Sequence, residues 1–314
     1  MIGDIFRLIF WRYLITLFAS LPLSVLNSFI DLLTHLQIAL WYKRRNILSR
    51  ELRKSGLLNK DIDHNRLIYQ SFKSNNSRLL KKCLLPKINN NNIDKFLQVD
   101  GLKHLEEAIK RGKGTILLNP HFGPYLFVLP ALGHRGYSLN QIALQGVQIK
   151  KKHKVLNKLI YYAKFDSIEG RMPITFLNAA KNPMIMRTAI EILAKNGIIL
   201  FASTGRGGKS WHEVDFLGRK STFNLIPFKL GIKMGAALLP VFALNSKPIA
   251  RIVIEKPLIV LDGDSPVNIL EQYISKLSWY VMKYPDHFAI FLYEMRIKAG
   301  RDDHPFFTDY AEKL

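Results

Sequence analysis

Four short, almost wholly apolar blocks spaced along the C-terminal two thirds of this chain limit it to one broad architecture. They are TILLN (115–119), IILFA (198–202), AALLPVFA (236–243) and ARIVIE (250–255), and residues 140–144 read as a further strand. Runs of this length without polar alternation fit strands covered on both faces, as in parallel sheets. Between them, residues 102–111, 124–132, 183–195 and 227–234 carry apolar side chains at helical spacing. Gly112 and Gly114 close the first helix, and Asn196-Gly197 closes the third. The expected fold class is α/β, a central, mostly parallel sheet flanked by helices, filling residues 100–314.

Two other regions precede that domain. Residues 43–99 read as a basic helical segment, 43–87, ending near Pro86, and a linker that opens with a polar surface loop, INNNNID (88–94). Residues 1–42 contain an uncharged run of 18 residues (13–30), the shortest length for a spanning helix. Arg7 and Arg12 precede it, and KRRNILSRELRK (43–54) follows it. Trp11, Tyr13, Trp41 and Tyr42 suit the interfacial level of a bilayer. A cleaved signal peptide lacks its small-residue cleavage site here, and a buried pair of core helices is the bland alternative. The preferred reading is an N-terminal membrane-associated helix, spanning or lying in the interface, with the basic cluster against anionic headgroups.

Across 314 residues, 46 Lys and Arg against 24 Asp and Glu give a net charge of +22. Such a field calls for an anionic partner. Nucleic acid is not expected, because no recognition motif or interleaved aromatic pattern accompanies the charge. The lone Cys83 excludes an internal disulfide and reads as apolar filler, and no Cys/His spacing suggests a metal. No cofactor is expected.

The sharpest chemical feature is LLNPHFGPYLF (117–127), where a buried strand runs into His121 just before a helix. Ligands of open α/β sheets sit at such strand ends. Histidine is the natural base for deprotonating a hydroxyl near neutral pH, and it needs a partner to fix its tautomer. The competing reading is a hydrogen-bonded loop histidine. Asn119, Phe122 and Gly123 flank it as candidate substrate-binding residues. His134, His153, His212, His287 and His304 are scattered and read as structural.

Strand, then H-F-G, then a helix start resembles the HxxxxE block of the lipid A late acyltransferases of lauroyl/myristoyl type. Other blocks agree in order: PLSVLNSFIDLL with Arg44 to Asn46; residues 101–123; EILAKNGIILFA, VDFLGRKST and GIKMGAALLPVFAL; and YPDHFAIFLYEMRIK (284–298). The resemblance implies an acyltransferase-type domain on the cytoplasmic face of a bacterial inner membrane. The implied reaction moves a fatty acyl group from acyl-carrier protein or coenzyme A to a hydroxyl of a membrane glycolipid such as a lipid A precursor, with His121 as base. The chain departs from the pattern at Leu126, where the family's carboxylate belongs, and at Ser203 and Thr204, where an acid often follows the strand. A distant Asp or Glu, such as Asp166, Glu169 or Asp215, could then fold in to orient the base, or the chain is a non-catalytic relative that binds lipid or scaffolds at the membrane.

STGRGGKS (203–210) is one residue from a phosphate loop of GxxxxGK[ST] type, with Ser203 in the first glycine position. WHEVDFLGRK (211–220) reads as extended, so the helix such a loop requires is missing. Thr204, Arg206 and Lys209 remain candidates for holding a lipid or carrier phosphate, and KKKHK (150–154) for docking an acidic carrier or headgroups, against the plainer reading of a solvated helix face. Trp211, His212 and Glu213 lie close enough in sequence to belong to such a site.

Overall fold

The structure is a computed structural model that describes residues 2–58, 63–143, 154–179, 182–204, 210–299 and 304–311. Helices α1 (Ile2–Ile9) and α2 (Ile15–Ser20) are joined by a π-helical turn, Phe10–Leu14, and followed by α3 (Leu23–Leu40), α4 (Tyr42–Lys54) and α5 (His64–Lys81). After a short helix α6 (Ile93–Phe96) come β1 (Leu97–Asp100), α7 (Leu102–Lys110), β2 (Thr115–Leu118), α8 (Val128–Gly133) and β3 (Leu139–Ala143). Then follow α9 (Lys154–Ser167), β4 (Thr175–Asn178), α10 (Ile185–Ala194), β5 (Ile198–Phe201), β6 (Trp211–Phe216), β7 (Arg219–Asn224) and α11 (Ile226–Met234). The chain closes with β8 (Ala237–Asn245), β9 (Ala250–Ile254), α12 (Pro266–Lys283) and α13 (Asp286–Lys298).

Seven strands form one sheet in the order β1-β9-β8-β2-β5-β3-β4. All neighbours are parallel except β8 and β9, and β6 and β7 form a separate antiparallel hairpin. The α/β reading of the sequence holds, and its unbroken apolar runs have a direct cause. Along β2, Ile116 and Leu118 enter the apolar layer under α10 to α13, while Leu117 enters the opposite layer under α7 and α8. Helices cover both faces, so no residue of β2 can be polar and solvated.

The N-terminal run departs from expectation. Residues 13–30 do not form one helix: Leu21 and Pro22 are extended, with ψ of 143° and 147°. Proline forces the residue before it out of the helical region. Among the described residues, the one helix long and apolar enough to cross a membrane is α3 instead. Leu26, Ile30 and Thr34 of α3 turn inward, whereas Val25, Leu32, Leu36 and Leu40 are exposed. The inner seam against α5 is polar: Asn76 Nδ2 donates to Thr34 Oγ1 (3.0 Å) and Gln37 Oε1 (3.1 Å), and Lys73 pairs with Asp31. The expected helix over 124–132 also differs, opening as a 3-10 turn at Tyr125–Phe127.

The basic segment is fastened to the sheet domain by buried charge. Arg219 Nη1 donates to Glu51 Oε2 (3.0 Å), and its Nε reaches Asp309 (3.1 Å). Arg296 Nε lies 3.8 Å from Glu51, and Glu51 is 1% exposed. Arg44 is enclosed by the rings of Trp41, Phe72 and Tyr293, and burial lowers its pKa. Cys83 is buried, its thiol pushed up to about 12 by desolvation, as befits a packing residue.

Candidate active site

β2 and β5 are parallel neighbours in a register that pairs Leu118 with Phe201. Three residues beyond that pair, past the end of each strand, stand His121 and Thr204. The ladder extends past both strands, with Asn119 N–H donating to Phe201 O (2.9 Å) and Ser203 N–H to Asn119 O (3.2 Å). This brings the hydroxyl of Thr204 to His121 twice. Thr204 Oγ1 accepts the backbone N–H of His121 at 2.9 Å and lies 2.7 Å from ring Nδ1. A hydroxyl oxygen can accept both hydrogens while its own proton points elsewhere. In that arrangement Nδ1 carries the imidazole proton and Nε2 keeps its lone pair.

Nε2 has no protein partner among the described residues. The ring packs between Phe291 (centroids 5.5 Å) and Tyr125 (4.9 Å). It borders a small pocket of about 50 Å³ that is also lined by Arg78, Asp286, His287 and Glu294. Desolvation, with the cations of Arg78 and Lys298, pushes the pKa of His121 down to about 4, so the imidazole is neutral at physiological pH.

Neither Asp166 nor Asp215 reaches this ring. Asp215 lies on the hairpin and pairs with Lys220 (3.0 Å), Asp166 is exposed on α9, and the Glu169 side chain lies outside the described residues. Leu126 packs against the apolar layer beneath α7 and α8, so a carboxylate there would have to displace core contacts.

The other flagged residues divide. Gly123 borders the pocket with φ +54°, and a Cβ there would stand 2.3 Å from the carbonyl of Ala243. Asn119 is buried and donates to Tyr125 O (3.1 Å), tying the strand end to the 3-10 turn. Phe122 is fully buried against Phe242, Tyr280 and His287. Arg206, Lys209 and Lys150 to His153 lie outside the described residues. The segment after Lys209 is strand β6, not a helix. There the Trp211 ring lies beside His304 (5.6 Å).

His287, which reads as structural from the sequence, helps to line the pocket with its ring. Its Nε2 accepts the N–H of Asn245 (2.9 Å), so its proton resides on Nδ1, 2.9 Å from Asp286 though not aligned as a hydrogen bond. Its carbonyl accepts the N–H of Gly123 (2.9 Å). With both ends occupied, His287 clamps α13 to the β8 end and to the H-F-G turn. Its position within the resembling block 284–298 was the available signal.

In open α/β sheets ligands sit at the carboxyl ends of the strands, which is where His121 stands. The family model described as bacterial lipid A biosynthesis acyltransferase matches residues 5–295, and the chain belongs to that family. Among curated proteins it is similar to phosphatidylinositol mannoside acyltransferases from two strains of Mycobacterium tuberculosis. They are 27% and 26% identical over 158 residues, an alignment covering 50% of this chain and 47% of each relative. The chain thus spans about half the length of the curated relatives it matches.

Proposed function

We propose that this protein transfers a fatty acyl group from a thioester, of acyl-carrier protein or coenzyme A, to a hydroxyl of a membrane glycolipid. The observation that carries the reading is the His121 imidazole, neutral, held at Nδ1 by Thr204 and bordering a pocket at the strand end with Nε2 unengaged. In this reading Nε2 takes the proton of the acceptor hydroxyl as its oxygen attacks the thioester carbonyl. The C–S bond then breaks, and the departing thiolate leaves with that proton. Family membership supports the reaction type, and the mycobacterial relatives support glycolipid acceptors beyond lipid A precursors.

The site would work at a membrane surface. The exposed apolar residues of α3 continue those of the preceding helices at Ile5, Ile9, Tyr13 and Leu17. A helix whose inner face is committed to α5 and whose outer face is bare and apolar suits partial immersion in a leaflet. We place residues 1–42 there as anchor, residues 43–99 as its basic neighbour, and residues 100–314 as the catalytic domain, on the cytoplasmic face of a bacterial inner membrane.

One observation favours a second reading, a family relative that holds lipid without turnover: a hydroxyl, not a carboxylate, faces Nδ1. The test is an acyl-transfer assay in detergent with labelled acyl-carrier protein and acyl-coenzyme A thioesters and a panel of glycolipids. Turnover that disappears in His121→Ala supports catalysis. Full turnover in that variant sinks the base assignment, and lipid binding without turnover in any pairing selects the second reading.

A further inference from the structure

A second, larger cavity of about 370 Å³ opens beside the His121 pocket, and Ser74 and Asp286 border both. Besides Asp286 on α13, its walls come from Asn27 and Ile30 on α3, Lys73, Ser77 and Lys81 on α5, and Lys247 in the turn between β8 and β9. We propose that this cavity binds the phosphate of a lipid headgroup and thereby presents the headgroup's hydroxyls to His121, an assignment that rests on the acyl-transfer reading above.

The charge at the site is net positive. Lys73 is neutralised by Asp31 at 2.5 Å, which leaves Lys81 and Lys247 against the single carboxylate of Asp286 in the cavity lining. Lys81 and Lys247 have no carboxylate within ion-pair distance among the described residues. Lys81 is only 8% exposed, and its Nζ donates to the carbonyl of Pro248 at 3.3 Å. Burial lowers its pKa, with Lys73 adding to the effect. A buried ammonium satisfied by one carbonyl gains most from an anion that brings both charge and acceptor oxygens. Hydroxyls and amides from Asn27, Ser74 and Ser77 add neutral donors around the lysines.

The position selects a lipid as the source. Ile30 and Asn27 of the cavity wall lie on the helix whose opposite face, at Val25, Leu32 and Leu36, is bare and apolar. Tails lying along that face would leave the headgroup to reach the cavity across the width of one helix. The volume suits a phosphate with an attached polyol, and the His121 pocket beside it is the smaller of the two.

The test measures binding without turnover. The whole chain, in nonionic detergent, is titrated with dioctanoyl-phosphatidylinositol, with dioctanoylglycerol and with coenzyme A. Lys81→Gln and Lys247→Gln are compared with wild type and with Lys233→Gln at the end of α11, and thermal unfolding checks the fold of each. Each cavity variant is expected to weaken phosphatidylinositol binding about tenfold, the loss of one charge-assisted hydrogen bond, with dioctanoylglycerol and Lys233→Gln unaffected. Wild-type phosphatidylinositol binding by Lys247→Gln, whose side chain is exposed and whose fold is not at risk, overturns the proposal. Loss confined to coenzyme A assigns the lysines to the donor's phosphates and overturns it equally. If His121→Ala keeps full transfer activity, the catalytic reading fails while the lysine dependence of binding still stands or falls on its own.

Discussion

The Thr204 hydroxyl holds His121 at two points, the backbone nitrogen (2.9 Å) and ring Nδ1 (2.7 Å), from a position three residues past the neighbouring strand. Removing that hydroxyl while keeping its shape frees the ring to rotate or change tautomer. Thr204→Val is therefore expected to lower kcat by on the order of a hundredfold or more, with KM little changed. Equal kcat in wild type and Thr204→Val would show that the ring is positioned by Phe291 and Tyr125 alone.

The pH profile follows from the same environment. A base works only when unprotonated, so activity falls as pH drops through its pKa. With desolvation and two nearby cations holding His121 at about 4, kcat/KM should stay level from neutral pH down to about 5 and decline only near 4. Thr204→Asp places a carboxylate at Nδ1, stabilises the imidazolium and moves the acid limb upward. A wild-type limb close to the ordinary histidine value would contradict this account.

Gly123 leaves no room for a side chain. With φ at +54° and a Cβ only 2.3 Å from the Ala243 carbonyl, Gly123→Ala must shift the H-F-G turn or the end of β8. A loss of about 2 kcal/mol or more is expected in denaturant unfolding, accompanied by loss of activity. An unchanged midpoint would mean that the turn relaxes freely.

Glu51 joins α4 to Arg219 and Arg296 in a buried network. Glu51→Ala leaves two buried guanidinium groups short of a partner and should destabilise by about 3–5 kcal/mol. The lowered melting temperature should appear without a specific change in residual acyl transfer per folded molecule. A loss within about 0.5 kcal/mol, the range of ordinary surface changes, would show that Asp309 and water suffice.

Leu36 and Leu40 are 47% and 73% exposed on the outer face of α3. Paired replacement by lysine removes apolar area from that face and leaves the seam with α5 intact. Co-sedimentation with anionic vesicles should drop severalfold, with thermal stability in detergent unaltered. Undiminished vesicle binding would assign attachment to the basic cluster alone.

The parts of this fold legible in the sequence were those whose environment is uniform. β2, β5 and β8 lie under helices on both faces, so TILL, IILF and ALLPVFA announce themselves. β1 (LQVD) and β4 (TFLN) are edge strands with mixed burial, and their short polar-containing stretches carry no such signal. His121 stood out because it ends a buried strand. Its partnership with Thr204 depended on strand register, which no local pattern encodes. The second wall of the pocket was hidden in α13, which is buried around most of its circumference and so lacks a clear polar face. Lys81 and Lys247 meet at one cavity from 166 positions apart in number (247 − 81), a proximity only the folded chain creates.

The two faces of α3 have a kinetic consequence. If one face sits in a leaflet, as proposed, while the other borders the cavity, an acceptor would reach the protein by lateral diffusion in a plane, its headgroup never crossing bulk water. Turnover would then respond to the mole fraction of acceptor in the surface, and inert lipid added at constant total acceptor would slow it by dilution in two dimensions.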